Sequence, residues 1–405
     1  MKEKKISTEI PSGRVEGINY VDKQPLAVWF ENGLITKVEK LKSKKGNKES
    51  LIIAPGFIDI QVNGYNGISF SLEGAEDPSA KSKSLSVDEI RNITRALWEQ
   101  GVTTYFPTLT TNSRELFLRN ISILTDAMND PFNLGSIPGL HLEGPYISAV
   151  DGYRGAHPRE HVRNPDWEEF LQLYNCANGK ILLMTMAPEV EGATEFIRKC
   201  REMGVVVSLG HHNGSADVIK QAIDAGAGLA THLGNGCAST INRHRNPLWP
   251  QLADERLMIS IISDSFHLPP EILKVFFKIK GACNIIIISD LTSYAGLPAG
   301  QYKLKTGETI EKAPNGHLRF SGQEGGLYGS ATPLMEAIPH MMKSTACSLA
   351  DAIMMTSENP AKLHNLGDRG SLEPGKRADI IMFSVRDTLL QIEKTYVCGN
   401  EVYAR

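Results

Sequence analysis

The sequence predicts an α/β protein: a (β/α)8 barrel with a small β-sandwich domain formed by both chain termini. Three observations predict it. In the middle of the chain, short apolar strands alternate with helical segments across short loops, the pattern of a parallel sheet. The strands number about eight, which favours a closed barrel over an open sheet. The two ends read instead as β strands joined by turns, and the simplest assembly pairs them with each other. The expected division is residues 1–53 plus 370–405 for the sandwich and 54–369 for the barrel.

Taken in order, residues 11–53 hold short strands, with AVWF and LITKVEK separated by a turn at Glu31-Asn32-Gly33. Lysines cluster at 37–48, but the run includes Gly and Asn and reads as a solvated hairpin tip. A buried strand, Leu51–Ile53, ends at Pro55-Gly56. The next strand, Phe57–Val62, puts Gln61 and Asn63 on one face, because alternate residues of a strand share a side. Further strands are expected at Thr103–Pro107, Ile137–Glu143, Ile181–Ala187, Val205–Gly210, Gly228–His232, Met258–Ser263 and Ile285–Asp290. Helices are expected at Val87–Gln100, Ser113–Asn129, Ala193–Met203, Ala216–Ala225 and Pro270–Lys280. A helix-rich piece, Leu349–Leu363, then leads to GSLEPGKRADIIMFS and TYVCGNEVYAR, which read as strands and turns. No internal repeat or low-complexity tract interrupts this order.

The bulk numbers exclude several classes. A chain of 405 residues that is 41% hydrophobic can bury a substantial core. A formal net charge of −3 gives no reason to invoke nucleic acid or an anionic membrane. The first ten residues, MKEKKISTEI, lack an apolar stretch of signal-peptide length, and no window reaches the roughly 18 apolar residues of a membrane span. Six cysteines are scattered without a C-x-x-C pair, so neither a disulfide framework nor a zinc ribbon is expected. The expectation is a cytoplasmic protein.

Barrel enzymes carry their chemistry at the C-terminal ends of the strands. The polar residues there are Glu143 in HLEGP, His211 and His212 in VVVSLGHHNG, His232 in GLATHLGNG, Asp264 and His267 in SIISDSFH, and Asp290 in IIIISDLTSYAGLP. His211 and His232 stand one strand–helix–strand repeat apart, so they should face one cavity from neighbouring strands. Two imidazoles, one carboxylate and an open fourth position form the usual ligand set of a catalytic zinc. Such a metal lowers the pKa of its water and polarises a carbonyl. Asp290 closes an apolar strand and is placed to take a proton from that water and return it to a leaving amine. Each residue has a structural alternative: a hydrogen-bonded histidine, a helix cap, a partner for an arginine. The metal reading rests on their coincidence.

The chain resembles the N-acetylglucosamine-6-phosphate deacetylases of the amidohydrolase superfamily over nearly its whole length. The matching pieces are HLEGPYIS at 141–148, GAHP at 155–158, MAPE at 186–189, LGHHNGSAD at 209–217, THLGN at 231–235, SDLTSYAGLPAG at 289–300 and GGLYGSATPL at 325–334. The resemblance implies hydrolysis of N-acetylglucosamine-6-phosphate to glucosamine-6-phosphate and acetate by a metal-bound water. Glu143, His211 and His232 fall on the family's metal ligands, and Asp290 on its catalytic acid/base. His157 falls on a histidine that contacts the amino sugar, and His267 on another at the substrate side. Asn235 and Gly236 lie on the sugar-binding loop, and His212 stands behind the ligands. A homodimer is also implied.

Gln61 and Asn63 stand where dinuclear relatives carry two metal-binding histidines. Amides are poor zinc ligands beside imidazole and carboxylate, so the expectation is one divalent ion per chain, with the second position vestigial. Zinc leads, and iron, cobalt and manganese suit the same donors. The loop GNGCASTINRHRNPLWP departs from the family's H-H-R-[DE]-P-G pattern. Arg243 and Arg245 are both candidates for the arginine that reaches the substrate phosphate. That departure keeps a second substrate class open, an unphosphorylated or otherwise substituted N-acyl amino sugar or small N-acyl compound.

Overall fold

The computed structural model describes residues 11–42, 51–72, 85–304, 307–322, 326–386 and 389–405. The expectations for the first ten residues and for the lysine tip beyond Lys42 lie outside the described residues. Eight parallel strands form the barrel sheet: β1 Phe57–Val62, β2 Val102–Thr110, β3 Leu140–Glu143, β4 Ile181–Met186, β5 Val206–Leu209, β6 Leu229–Ala230, β7 Met258–Ile261 and β8 Ile285–Ile287. The sheet closes just beyond β8, where Val62 pairs with Leu291.

Helices follow the strands: α1 Val87–Glu99, α2 Arg114–Met128, α3 Trp167–Cys176, α4 Ala193–Glu202, α5 Ala216–Ala225, α6 Leu248–Ala253, α7 Pro270–Lys280 and α8 Leu334–Thr345. Side-chain caps explain several of the starts. Ser86, Ser113 and Ser215 each accept a hydrogen bond from the backbone N–H three residues on. Three of these helices, α3, α6 and α8, are not among those the sequence predicts. One of them, α6, is a single short segment opened by Pro247 and containing Pro250, and it offers little periodicity to read.

Sequence and structure part company at several strand ends; the strand expected over Met258–Ser263 stops at Ile261. The expected strands ran through His232 and Asp290, but the observed strands stop at Ala230 and Ile287. His232 and Asp290 instead have φ of 29° and 51°, and His211 has 52°. Non-glycine residues reach this left-handed region at a cost and are held there by their surroundings. The turn of the backbone swings each side chain inward over the strand ends.

Both chain ends contribute to one seven-stranded sheet. Its order is Asn400–Ala404, Leu389–Val397, Ile380–Arg386, Ile52–Pro55, Gly13–Asn19, Pro25–Glu31 and Leu34–Lys40. Its apolar face buries Val28, Phe30, Ile35, Ile53, Ile380 and Tyr396 in a cluster of its own. A larger cluster packs the helices on the barrel. A three-stranded antiparallel insert that the sequence does not predict, Gly300–Lys303, Thr309–Lys312 and Leu318–Phe320, follows β8.

Arg377 joins the terminal sheet to the barrel. Its guanidinium pairs with both oxygens of Asp379, at 2.9 and 3.2 Å, and donates to the Leu134 carbonyl at 3.0 Å. Removing one partner of a buried pair leaves an uncompensated charge, which costs about 3–5 kcal/mol. Arg377→Ala should therefore lower the thermal midpoint while leaving kcat unchanged in the folded fraction. Calorimetry and steady-state kinetics on the same preparation check both halves of that outcome.

Candidate active site

Glu143 ends β3 and is buried at the barrel mouth. One of its oxygens, Oε1, lies 3.1 Å from His211 Nε2 and 3.0 Å from His232 Nε2. His157 comes from the loop after β3, and its Nε2 is 3.3 Å from His211 Nε2. Ligand atoms of Glu143, His157 and His211 all lie within 4.8 Å of one another. The structure therefore brings four donors together rather than the three read from strand spacing. His157 had entered only through the resemblance, because it sits on a loop.

The rings are crowded into place by glycine. A Cβ on Gly155 would stand 3.0 Å from His211 Cε1, and one on Gly236 about the same distance from both His211 and His232. Both glycines also have positive φ, so a side chain there would be strained as well as blocked. Below the cluster, the barrel interior holds a hydroxyl network. His141, two residues before Glu143, bonds Thr108 Oγ1 at 3.2 Å and Thr185 Oγ1 at 2.8 Å. Thr185 in turn meets Thr231. The His-x-Glu spacing, which places His141 and Glu143 on one face, is the one sequence signal of this support.

Electrostatics test whether the donors suit a cation. His211 Nδ1 lies 3.2 Å from the Tyr153 carbonyl, which can only accept, so this nitrogen carries the proton. In a neutral ring the Nε2 lone pair then faces a Glu143 carboxylate oxygen. Two acceptors at that distance repel unless a proton or a metal ion lies between them. His157 is held neutral, its pKa lowered to about 3 chiefly by burial. Burial works against the charge on Glu143, but the bonds from His211 and His232 outweigh it and hold the carboxyl well below its usual range. Burial works against a charge on His232, but the Glu143 carboxylate outweighs it and raises that ring's pKa, so an incoming cation would displace protons here. One carboxylate and imidazole nitrogens form a donor set that fits zinc, iron or cobalt.

Asp290 reaches the same mouth from the end of β8. Burial first and the Glu143 charge next raise its pKa to about 6, with His232, His267 and Asn63 opposing. Gln61 Nε2 and Asn63 Nδ2 donate to its Oδ1 at 3.0 and 2.7 Å. Asp59, also on β1, accepts from the backbone N–H groups of Gln61 and Ser289. Asp59→Ala would leave both donors buried without a partner, at about 1–3 kcal/mol each. A lowered denaturation midpoint is the expected readout for that variant.

The remaining candidates are placed as follows. His267 Nδ1 is 2.8 Å from Asp264 Oδ2, which leaves Nε2 free for another partner. Phe266 beside it stacks on His317 of the insert, with ring centroids 4.6 Å apart. Asn235 turns back onto the His232 carbonyl at 3.2 Å. His212 is buried and accepts from Gly214 N. Arg243 and Arg245 are both exposed, and no hydrogen bond or ion pair joins either to the Glu143 cluster among the described residues. The bonds of their loop run within it: Asn242 Oδ1 accepts from Arg245 N, and Trp249 Nε1 donates to the Arg243 carbonyl.

Residues 52–402 match the family model described as Amidohydrolase family. An N-acetylglucosamine-6-phosphate deacetylase of Bos taurus is 30% identical over 393 residues, covering 93% of this chain and 91% of that protein. One from Bacillus subtilis (strain 168) is also 30% identical, covering 88% of each. Among solved structures, an N-acetylglucosamine-6-phosphate deacetylase from Thermotoga maritima superposes with a TM-score of 0.82 at 26% identity. That match covers 97% of this chain and all of the other.

Proposed function

The chain belongs to the amidohydrolase family, as a hydrolase of the N-acetylglucosamine-6-phosphate deacetylase kind, and from that premise we propose that it deacetylates N-acetylglucosamine-6-phosphate to glucosamine-6-phosphate and acetate. The observation that carries the reading is the meeting of Glu143, His157, His211 and His232 beside Asp290 at the C-terminal ends of the strands. Glu143, His211 and His232 would hold one divalent ion, zinc by preference. When bound, such an ion activates a water and polarises the acetamide carbonyl.

The chain's own residues divide the remaining work. Asp290 takes the proton of the attacking water at Oδ2 and passes it to the departing amine nitrogen. Burial raises the Asp290 pKa above that of an exposed carboxyl, which makes it a stronger base for the first transfer. His157, with Nδ1 bonded to Thr111 Oγ1 at 2.9 Å, turns Nε2 toward the developing oxyanion. His267 Nε2 is available to a sugar hydroxyl, and the Asn235–Gly236 turn lines the sugar side.

A second reading is favoured by one observation. The arginines expected to meet phosphate are exposed on a loop that bonds only to itself in the contacts described above. An unphosphorylated or otherwise substituted N-acyl amino sugar then remains a substrate class. A substrate panel with metal content measured on the same sample decides. Faster acetate release from N-acetylglucosamine than from its 6-phosphate would overturn the phosphorylated assignment. The same proposal includes a cytoplasmic homodimer in which either arginine completes the neighbouring site; sedimentation of the purified protein as a monomer would remove that part. No helix among the described residues is long and apolar enough to cross a membrane.

A further inference from the structure

We infer that Gln61 and Asn63 are positioning residues, a pair of neutral amides that holds one oxygen of Asp290 so that the other faces the reacting atoms. The inference rests on the reading of Asp290 as proton carrier and gives a present task to a position otherwise read as vestigial.

The geometry carries it. Gln61 lies on β1 and Asn63 just past its end, and both donate to the same atom, Oδ1. A carboxylate only accepts, so each amide must turn its NH2 toward it. Oδ2 receives no hydrogen bond among the described residues. Asn63 Oδ1 is left buried without a partner, a cost accepted in exchange for aiming the nitrogen at Asp290. The backbone repeats the connection: Asp290 N donates to the Gln61 carbonyl at 3.1 Å, and Asn63 N to the Leu291 carbonyl at 2.7 Å.

The clamp answers a specific mechanical need. Asp290 sits at φ 51°, just past the end of its strand; backbone bonds to Gln61 and Ser330 hold its main chain but leave the side-chain torsions free. A carboxylate free to rotate would offer either oxygen in turn. Two donors on Oδ1 stop that rotation and reserve Oδ2 for proton transfer. A cation at this place could fix the carboxylate in the same way; here side-chain amides do it without adding charge. Proton transfer is sensitive to such placement, and misalignment of about 1 Å costs on the order of 100-fold.

The test uses near-isosteric side chains without donors, Asn63→Leu and Gln61→Met, in the full-length metal-loaded protein. Each should lose kcat by about 10- to 100-fold, with KM changed less than about threefold and metal content equal to wild type. In the Asp290→Asn background, adding Asn63→Leu should cost little more, since residues acting as a unit are non-additive. Because Leu or Met could unsettle the fold, hydrogen exchange of the Asn63 side-chain amide in the wild type provides a second measurement. Those protons should be protected, and the protection should vanish in Asp290→Ala. Normal kcat in both amide variants, or loss of metal in parallel with kcat, overturns the clamp. Full turnover in Asp290→Asn alone overturns the underlying assignment of the base instead.

Discussion

Asp290→Asn is expected to lose about 10²- to 10⁴-fold in kcat, the range associated with positioned proton transfer. The substitution is well suited to the question, because an asparagine oxygen can still accept from Gln61 and Asn63 at the Oδ1 position. The clamp and the fold are preserved, and only the ability to gain and release a proton at Oδ2 is removed. Metal content and KM should therefore stay near wild type. The wild-type profile carries the same signature. Asp290 serves as base when ionised, so kcat/KM should fall as the pH drops through its pKa. Since a bound cation can only lower that pKa from about 6, the acidic limb should lie at or below pH 6. Unchanged turnover in the variant would take Asp290 out of the proton path.

The second large effect is loss of the metal. Glu143 Oε1 is the atom shared by His211 and His232, so Glu143→Ala removes the centre of the cluster. It should leave the protein metal-free after dialysis and without measurable deacetylation. His211→Ala and His232→Ala should also lower metal occupancy itself. His157→Ala distinguishes two arrangements. If His157 faces substrate, that variant keeps its metal and loses kcat. If it instead loses the metal while His232→Ala retains it, the ligand set is the mutually close group of Glu143, His157 and His211. Metal analysis of the four variants separates the alternatives without relying on rates.

Much of the barrel was legible because strand and helix periods differ and the loops between them are short. The hairpin turn at Asn32-Gly33 shows why local chemistry also reads well: both residues have positive φ, at 54° and 76°, which asparagine and glycine tolerate best. The strand-end residues were legible for the same topological reason, since strands of a barrel deliver their last side chains to one rim. What stayed hidden depends on distant partners. Nothing local in the sequence says that His157 reaches His211, that Phe266 meets His317, or that Asp290 accepts from residues far upstream. The insert after β8 was missed because its strands are three or four residues long, too short for alternation to stand out.

The split sheet at the chain ends sets the order in which this protein can be made. Strand Ile52–Pro55 pairs on one side with Gly13–Asn19 and on the other with Ile380–Arg386. During synthesis its second edge stays open while the entire barrel is translated, on the order of tens of seconds at about 5–20 residues per second. An unpaired edge is a template for other chains. Lesions in the last three strands should thus appear less as altered catalysis than as poor yield from the ribosome, since those strands are the final cover for an edge laid down at the start.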